Sequence, residues 1–231
     1  MRLSRIVVVL AALSFAALVG CKKADPPADS KSKAALAGNY TIEKANDAVA
    51  GAAYKGSAVI AKKSSFYTVD WRVDGQAPFA GVALQYGTVL GVGWGKGGGT
   101  YGVVVYEIDG GKLRGTRAAS GSDFVGTENL EGSANLHGVY KITSATTADG
   151  QGYTGQVTIS NEAPAFKVEW KLANDTYSGM AMRKGNLLIA GWGKGGTSAG
   201  VVTYTHSATT LTGQWVVSGA NLMGNEVLTL R

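Results

Sequence analysis

Apolar and polar residues alternate in short segments along most of the chain. Residues 69–73 read V-D-W-R-V and residues 168–172 read V-E-W-K-L. Because successive side chains of a strand point to opposite faces, both segments predict strands with one buried face and one wet face. No segment shows the apolar period of a helix. The chain has 34 Gly and only 4 Pro, which is typical of short strands joined by tight turns.

Turn signals divide the first half of the chain into eight such segments. Their spacing of roughly 8–12 residues is that of an all-β barrel or sandwich. The predicted strands begin near Gly38, Gly56, Phe66, Phe79, Thr88, Tyr101, Lys112 and Gly126.

The second half of the chain repeats the first. The matching residues include Tyr40 and Tyr140 at an offset of 100, Tyr54 and Tyr153 at an offset of 99, and Glu128 and Glu226 at an offset of 98. We therefore predict two homologous β-repeats, residues 38–132 and residues 137–231. A repeat of this length is a domain in its own right and exceeds a solenoid unit.

The expected architecture is all-β, with two tandem homologous antiparallel domains. Eight short strands joined in sequence favour an up-and-down barrel, because closure removes the exposed edges of an open sheet. A pair of β-sandwiches, or one larger closed sheet built from both halves, is the alternative.

The first residues of the chain have the pattern of a secretory signal. Arg2 and Arg5 precede an uncharged, largely apolar run, residues 6–20, which is followed by Cys21. The ending L-V-G-C resembles the lipobox of bacterial lipoproteins. The resemblance implies that residues 1–20 are a lipoprotein signal peptide and that acylated Cys21 anchors the mature chain in a lipid bilayer.

Residues 21–37 combine this cysteine with a polar stretch that has no strand pattern, and we expect a disordered tether there. Lys22 follows the cysteine where retention in the inner membrane would favour Asp, so we expect the outer membrane of a bacterial envelope. Because the chain has 1 Cys, no disulfide can form within it.

Charge and composition limit the classes of partner and cofactor that we expect for this chain. The net charge is +6, but the basic residues are spread along the chain, which indicates a solvated surface and no nucleic-acid partner. With 2 His and 1 Cys, few ligands exist for a transition metal, and we expect neither a metal site nor a cofactor.

The sequence G-W-G-K-G-G occurs at residues 93–98 and again at 191–196. Consecutive glycine N–H groups beside Lys96 or Lys194 would suit an anion-binding nest. The alternative is a hairpin with positive-φ glycines, in which Trp94 and Trp192 pack at the mouth of a barrel.

Glu128 and Glu226 occupy equivalent places near the end of each repeat. Strand parity puts Glu226 on the face of Leu228, so a partly buried carboxylate is expected. A buried acid needs a donor or a cation, which Lys96, Lys194 or a tyrosine hydroxyl would supply. A catalytic acid with a raised pKa is the alternative. No nucleophile–base pair or metalloprotease motif is present, so we expect no enzyme.

Residues 206–216 resemble the penultimate strand of avidin and streptavidin, which are eight-stranded barrels, and residues 225–230 would then be the last strand. In that family the strand contributes hydroxyls and a tryptophan to the biotin pocket. Ser207 and Thr209 match the hydroxyl positions, whereas Leu211 replaces the tryptophan. The resemblance therefore supports the barrel more than it supports a biotin site.

Together these features predict a membrane-anchored extracytoplasmic lipoprotein that acts as a non-enzymatic binding module for a small molecule or an envelope protein. A structural protein of the cell envelope is the first alternative. A hydrolase that uses Glu128 and Glu226 is the second.

Overall fold

The computed structural model describes residues 36–194 and 198–231, and its regular structure there consists of sixteen β-strands. The first repeat contains β1 (Gly38–Asn46), β2 (Gly56–Lys62), β3 (Tyr67–Val73), β4 (Phe79–Tyr86), β5 (Val89–Lys96), β6 (Tyr101–Asp109), β7 (Lys112–Ala119) and β8 (Gly126–Gly132). The second contains β9 (Gly138–Thr146), β10 (Gly155–Glu162), β11 (Ala165–Leu172), β12 (Thr176–Lys184), β13 (Leu187–Gly193), β14 (Ser198–Ser207), β15 (Thr210–Val217) and β16 (Gly224–Leu230).

The strands begin within one residue of the positions predicted from the alternation and the turn signals. In the described ranges, the structure has no helix that is long and apolar enough to cross a membrane.

The sixteen strands form two closed barrels of eight strands each. Barrel 1 has the order β1-β2-β3-β4-β5-β14-β15-β16 and closes through β1 and β16. Barrel 2 contains β6 to β13 in chain order and closes where its first strand, β6, pairs with its last, β13. Neighbouring strands are antiparallel, for example β5 against β14 and β6 against β13. The predicted fold class, two eight-stranded antiparallel barrels, is therefore confirmed.

The barrels do not coincide with the repeats, and the expectation that each repeat forms a domain of its own is wrong. Each repeat gives its first five strands to one barrel and its last three to the other. Residues 97–100 pass from one barrel to the other, because β5 pairs with β14 and not with β6. The G-W-G-K-G-G segment at 93–98 is thus the end of a strand and the start of a crossover, and not a hairpin.

Three apolar clusters follow from this topology. One fills barrel 1 and includes Tyr40, Ile60 and Leu228. A second fills barrel 2, and the third lies between the barrels, where outward side chains such as Val82 and Met182 meet. Strands at this interface, such as β13, are buried on both faces, which explains their continuous apolar sequence.

Glycines allow the two barrels to touch through their backbones. A Cβ atom on Gly93 would lie 2.0 Å from the carbonyl oxygen of Gly102, and one on Gly191 would lie 2.2 Å from that of Gly200. Each contact joins a strand of one barrel to a strand of the other. Any side chain at these points would force the barrels apart, so the two contacts require glycine.

The shared barrels predict that the halves stay together when the chain is cut. A protease site inserted between Ala134 and Asn135 lies in the loop from β8 to β9. After cleavage we expect the halves to coelute in size-exclusion chromatography, because strand ladders β1–β16, β5–β14, β6–β13 and β8–β9 join them. Their separation should require a urea concentration that unfolds the barrels.

Mixing the cleaved protein with an isotope-labelled copy provides the control. Native mass spectrometry should show no exchange of halves before unfolding. Rapid exchange would mean that each half forms its own barrel, contrary to the strand pairing described above.

Candidate functional site

A buried carboxylate lies at the centre of barrel 1. Alternation along β16 turns Glu226 inward with Leu228, and Glu226 is only 3% exposed. The hydroxyl of Tyr204 donates a hydrogen bond to Oε1, and that of Tyr54 donates to Oε2 at 3.0 Å. The indole Nε1 of Trp71 donates to Oε1 at 3.4 Å. The predicted burial of this carboxylate is thus accompanied by a set of neutral donors.

Glycine makes room for one of these donors. A Cβ atom on Gly213 of β15 would lie 2.4 Å from the ring of Tyr204. The missing side chain lets this tyrosine lie flat against the inner wall and reach Glu226.

The sequence left open whether Lys96, Lys194 or a tyrosine hydroxyl is the partner of Glu226, and the structure shows tyrosine hydroxyls in this role. The Nζ atom of Lys96 donates to Oε1 of Gln76 at 3.3 Å and lies 4.6 Å from the centroid of the Phe79 ring. Lys194 pairs with Asp175, with 2.6 Å between Nζ and Oδ1. The salt bridges among the described residues include none to Glu226.

Barrel 2 contains the equivalent cluster around Glu128, which is 1% exposed. Tyr106 donates to Oε1, Tyr153 donates to Oε2 at 2.5 Å, and Trp170 Nε1 donates to Oε1 at 2.9 Å. Each donor is the repeat equivalent of one in barrel 1. The duplication has therefore preserved a complete carboxylate network in both barrels.

Burial raises the pKa of Glu226 above its ordinary value, although the hydrogen bonds from Tyr204, Tyr54 and Trp71 act in the opposite direction. Burial and the nearby carboxylate also raise the pKa of Tyr54 and Tyr204. Both phenols therefore stay protonated at neutral pH and remain hydrogen-bond donors.

An aromatic cavity of about 70 Å³ opens beside Glu226. Trp71 stacks on Phe79 with ring centroids 5.2 Å apart, and Phe79 lies 5.4 Å from Trp94. Trp94 meets Trp215 edge to face at 6.3 Å. With Tyr54, five aromatic side chains line this space beside Glu226. Its volume is several times what one water molecule needs, roughly 10–15 Å³.

Charged and polar side chains surround the mouth of this cavity. Lys96 and Gln76 line it together with Asp47. Oδ1 of Asp47 accepts hydrogen bonds from three backbone N–H groups, those of residues 49, 50 and 51. These bonds, with that from residue 50 the strongest influence, lower the pKa of Asp47 and keep it ionised.

The corresponding space in barrel 2 is only about 10 Å³, because Arg117 occupies it. Arg117 is the repeat equivalent of Trp215. Its guanidinium carbon lies 4.9 Å from the centroid of the Trp192 ring and 5.1 Å from that of the Tyr153 ring. Nη1 donates to the Tyr153 hydroxyl and lies 3.9 Å from Oε2 of Glu128.

Arg117 keeps its charge inside the barrel. Burial opposes that charge, but the neighbouring Tyr153 and Glu128 outweigh burial and raise the pKa of Arg117. With a side chain only 15% exposed, it is an internal cation that is matched to an internal carboxylate.

The structure places the other predicted site residues as follows. Trp94 and Trp192 lie inside the barrels, 7% and 4% exposed, and Lys96 ends β5. Gly97 and Gly98 have φ values of 104° and 78°, in the left-handed region. Cys21 and residues 195–197, which include the last glycines of the second G-W-G-K-G-G segment, lie outside the described residues.

The eight-stranded barrels are consistent with the fold that the avidin-like segment implies, but its hydroxyls are not at the cavity. Ser207 and Thr209 are exposed around the turn from β14 to β15. Lys96 pairs with Ser198, at the other end of β14. The hydroxyls therefore lie at the end of barrel 1 opposite Lys96, and they do not line the cavity.

Several residues of the site were missed by sequence reasoning because tyrosine and tryptophan on alternating strands suggested core packing. These residues are Tyr54, Trp71, Tyr204 and Trp215. Arg117 was missed as well, because the equivalent position of the other repeat holds a tryptophan. The usable signal was the difference between the copies, an arginine at 117 against a tryptophan at 215 within otherwise matching strands.

Comparison of the chain with protein-family models, with curated proteins and with solved structures finds no match.

The dependence of stability on pH provides a test of the buried Glu226. A folded-state pKa above the unfolded value stabilises the fold fully below the unfolded pKa, and this stabilisation is lost as pH rises through the folded pKa. The free energy of unfolding of the native protein, relative to that of the Glu226→Gln variant, should therefore fall as pH rises. Urea denaturation between about pH 4 and about pH 8 measures this difference.

The control is Glu43→Gln, which replaces an exposed carboxylate on β1. This variant should show no comparable trend. A difference between native protein and Glu226→Gln that stays constant or rises with pH would contradict the raised pKa of Glu226.

Proposed function

We propose that the protein is a membrane-anchored extracytoplasmic lipoprotein that acts as a non-enzymatic ligand-binding module. Its ligand site is the aromatic cavity of barrel 1, beside Glu226. Barrel 2 serves as the structural partner that completes this site, because the two barrels share their repeats.

The observation that carries the proposal is the inequality of two otherwise matching barrels. Barrel 1 has a cavity of about 70 Å³ and barrel 2 has one of about 10 Å³. Ligand sites are typically concave, mostly apolar and equipped with a few directed polar groups. Barrel 1 combines five aromatic side chains with Glu226, whereas barrel 2 fills the same space with its own Arg117.

The alternatives account for less of this geometry. A purely structural protein of the cell envelope has no use for an open cavity in one barrel. A hydrolase that uses both Glu128 and Glu226 would need substrate access at both carboxylates, yet the space beside Glu128 is hardly larger than one water molecule.

The anchor is the second part of the proposal. We infer from the lipobox that Cys21 is acylated and that its acyl chains insert into the bilayer, with the outer membrane as the expected location. Two or more acyl chains hold a protein stably at a membrane, whereas one chain does so only marginally. No nucleic-acid partner is expected.

Native mass spectrometry of the full chain, purified in detergent from the envelope of an expressing cell, tests the ligand site. We expect a copurifying small molecule at one per chain. Trp94→Ala should release it, because Trp94 forms a wall of the cavity in barrel 1.

The matched control is Trp192→Ala, which removes the equivalent buried ring from barrel 2 and should leave the ligand bound. Equal loss in both variants, or native protein without any copurifying molecule, would contradict the proposed site and favour the structural alternative.

Fractionation of cells that express a Cys21→Ser variant tests the anchor. The native chain should sediment with membranes and incorporate labelled palmitate, whereas the variant should do neither because serine lacks the thiol that is acylated. Ser32→Ala in the tether is the control and should behave like the native chain. Membrane association that survives Cys21→Ser would contradict the lipid anchor.

A further inference from the structure

Comparison with barrel 2 indicates which kind of chemical group the cavity of barrel 1 can hold. The two carboxylate networks match residue by residue, with Glu128, Tyr106, Tyr153 and Trp170 in barrel 2 equivalent to Glu226, Tyr204, Tyr54 and Trp71 in barrel 1. Trp192 likewise corresponds to Trp94. The principal substitution in the cavity is Arg117, whose place in the repeat is held by Trp215.

In barrel 2 Arg117 places a positive charge beside the buried carboxylate of Glu128. Its guanidinium group lies over the ring of Trp192, contacts Tyr153 and faces Glu128. A cation over an aromatic ring is attracted by the negative face of that ring, and a charge-assisted hydrogen bond is about twice as strong as a neutral one. The barrel interior thus favours a flat or compact cation near its carboxylate.

Barrel 1 has the same carboxylate without that cation. Glu226 has only neutral donors from Tyr54, Tyr204 and Trp71, and the salt bridges among the described residues do not include it. Isolating an ionised carboxylate from water without a positive partner is costly. A cation that enters the cavity would remove this cost by pairing with Glu226.

The substitution of tryptophan for arginine also changes the shape of the site. Trp215 donates from Nε1 to the Tyr54 hydroxyl at 3.1 Å and adds its ring to the wall beside Trp94. Barrel 1 therefore has an aromatic surface and an empty volume where barrel 2 has the guanidinium group of Arg117. Aromatic walls around a carboxylate are the chemistry that recognises alkylammonium and guanidinium groups.

We propose that the cavity of barrel 1 binds the cationic head group of a small organic molecule, a guanidinium or alkylammonium group, in the place that Arg117 fills in barrel 2. This inference rests on the proposed function of barrel 1 as a ligand site. The head group lies against Trp94 and Trp215 and pairs with Glu226, while the rest of the ligand leaves through the mouth beside Lys96, Gln76 and Asp47.

Lys96 and Asp47 determine the charge at the mouth of the cavity. The Nζ atom of Lys96 lies 4.6 Å from the centroid of the Phe79 ring and 5.7 Å from that of the Trp94 ring, at the mouth of the cavity. Asp47, whose carboxylate stays ionised, lines the same mouth, so the two opposite charges offset each other for the part of a ligand that passes between them. A single cationic head with a neutral tail suits both Glu226 in the interior and the two opposite charges at the mouth.

Isothermal titration of the full chain in non-ionic detergent with N-methylguanidinium chloride tests this inference. N-methylurea has nearly the same shape and no charge, so it is the matched control ligand. We expect N-methylguanidinium to bind once per chain and N-methylurea to bind about 30-fold or more weakly, because truncating one charge of a buried pair has an effect of this size. This comparison needs no variant.

Two variants locate the binding. Glu226→Gln removes the charge and should weaken N-methylguanidinium binding by about 30-fold or more. Trp215→Arg recreates in barrel 1 the internal guanidinium of barrel 2 and should abolish binding. Glu43→Gln on the exposed face of β1 should leave the affinity unchanged.

The outcomes separate this inference from the proposed function. Equal binding of N-methylurea, or unchanged binding to Glu226→Gln, would overturn the cationic class while leaving barrel 1 as a ligand site. No binding of the guanidinium probe, with a copurifying neutral or anionic molecule in native mass spectrometry, would do the same. No probe binding together with the absence of any copurifying molecule would overturn both.

Discussion

The exchange of strand ladders between the two repeats is the constraint on which the rest of the structure depends. Strand β5 forms its hydrogen bonds with β14, and β6 forms its own with β13. The residues that these ladders pair are 80 to 116 positions apart in the chain, so neither barrel can close without both repeats. The backbone contacts of Gly93 with Gly102 and of Gly191 with Gly200 hold the barrels together where the chain crosses.

This exchange also assembles the site. Tyr54, Trp71 and Trp94 come from the first repeat, whereas Trp215 and Glu226 come from the second. The carboxylate on β16 therefore meets its donors only when β1 to β5 and β14 to β16 close into one barrel. The cavity of barrel 1 is thus a property of the duplicated chain, since one repeat contains only part of its aromatic wall.

The two barrels differ at an inward position beside the carboxylate network. Both retain a buried glutamate with tyrosine and tryptophan donors, which is costly to disrupt because a buried carboxylate without partners is strongly unfavourable. At the neighbouring inward position, Arg117 closes barrel 2, whereas Trp215 leaves barrel 1 open. The neighbouring residue can differ between the barrels because the tyrosine and tryptophan donors to each carboxylate come from other positions.

The sequence by itself determined the strands, the duplication and the inward direction of Glu226, and it favoured a closed eight-stranded barrel over a sandwich. These features are local or periodic, since alternation sets which face of a strand is buried and glycine-rich segments set where it turns. Only the tertiary structure decided that the repeats share their barrels: β6 and β14 have matching sequences, so local pattern does not select between them, and the fold pairs β5 with β14. It also decided that Tyr54, Trp71 and Trp215 surround Glu226, since residues more than 150 positions apart become neighbours only through that pairing.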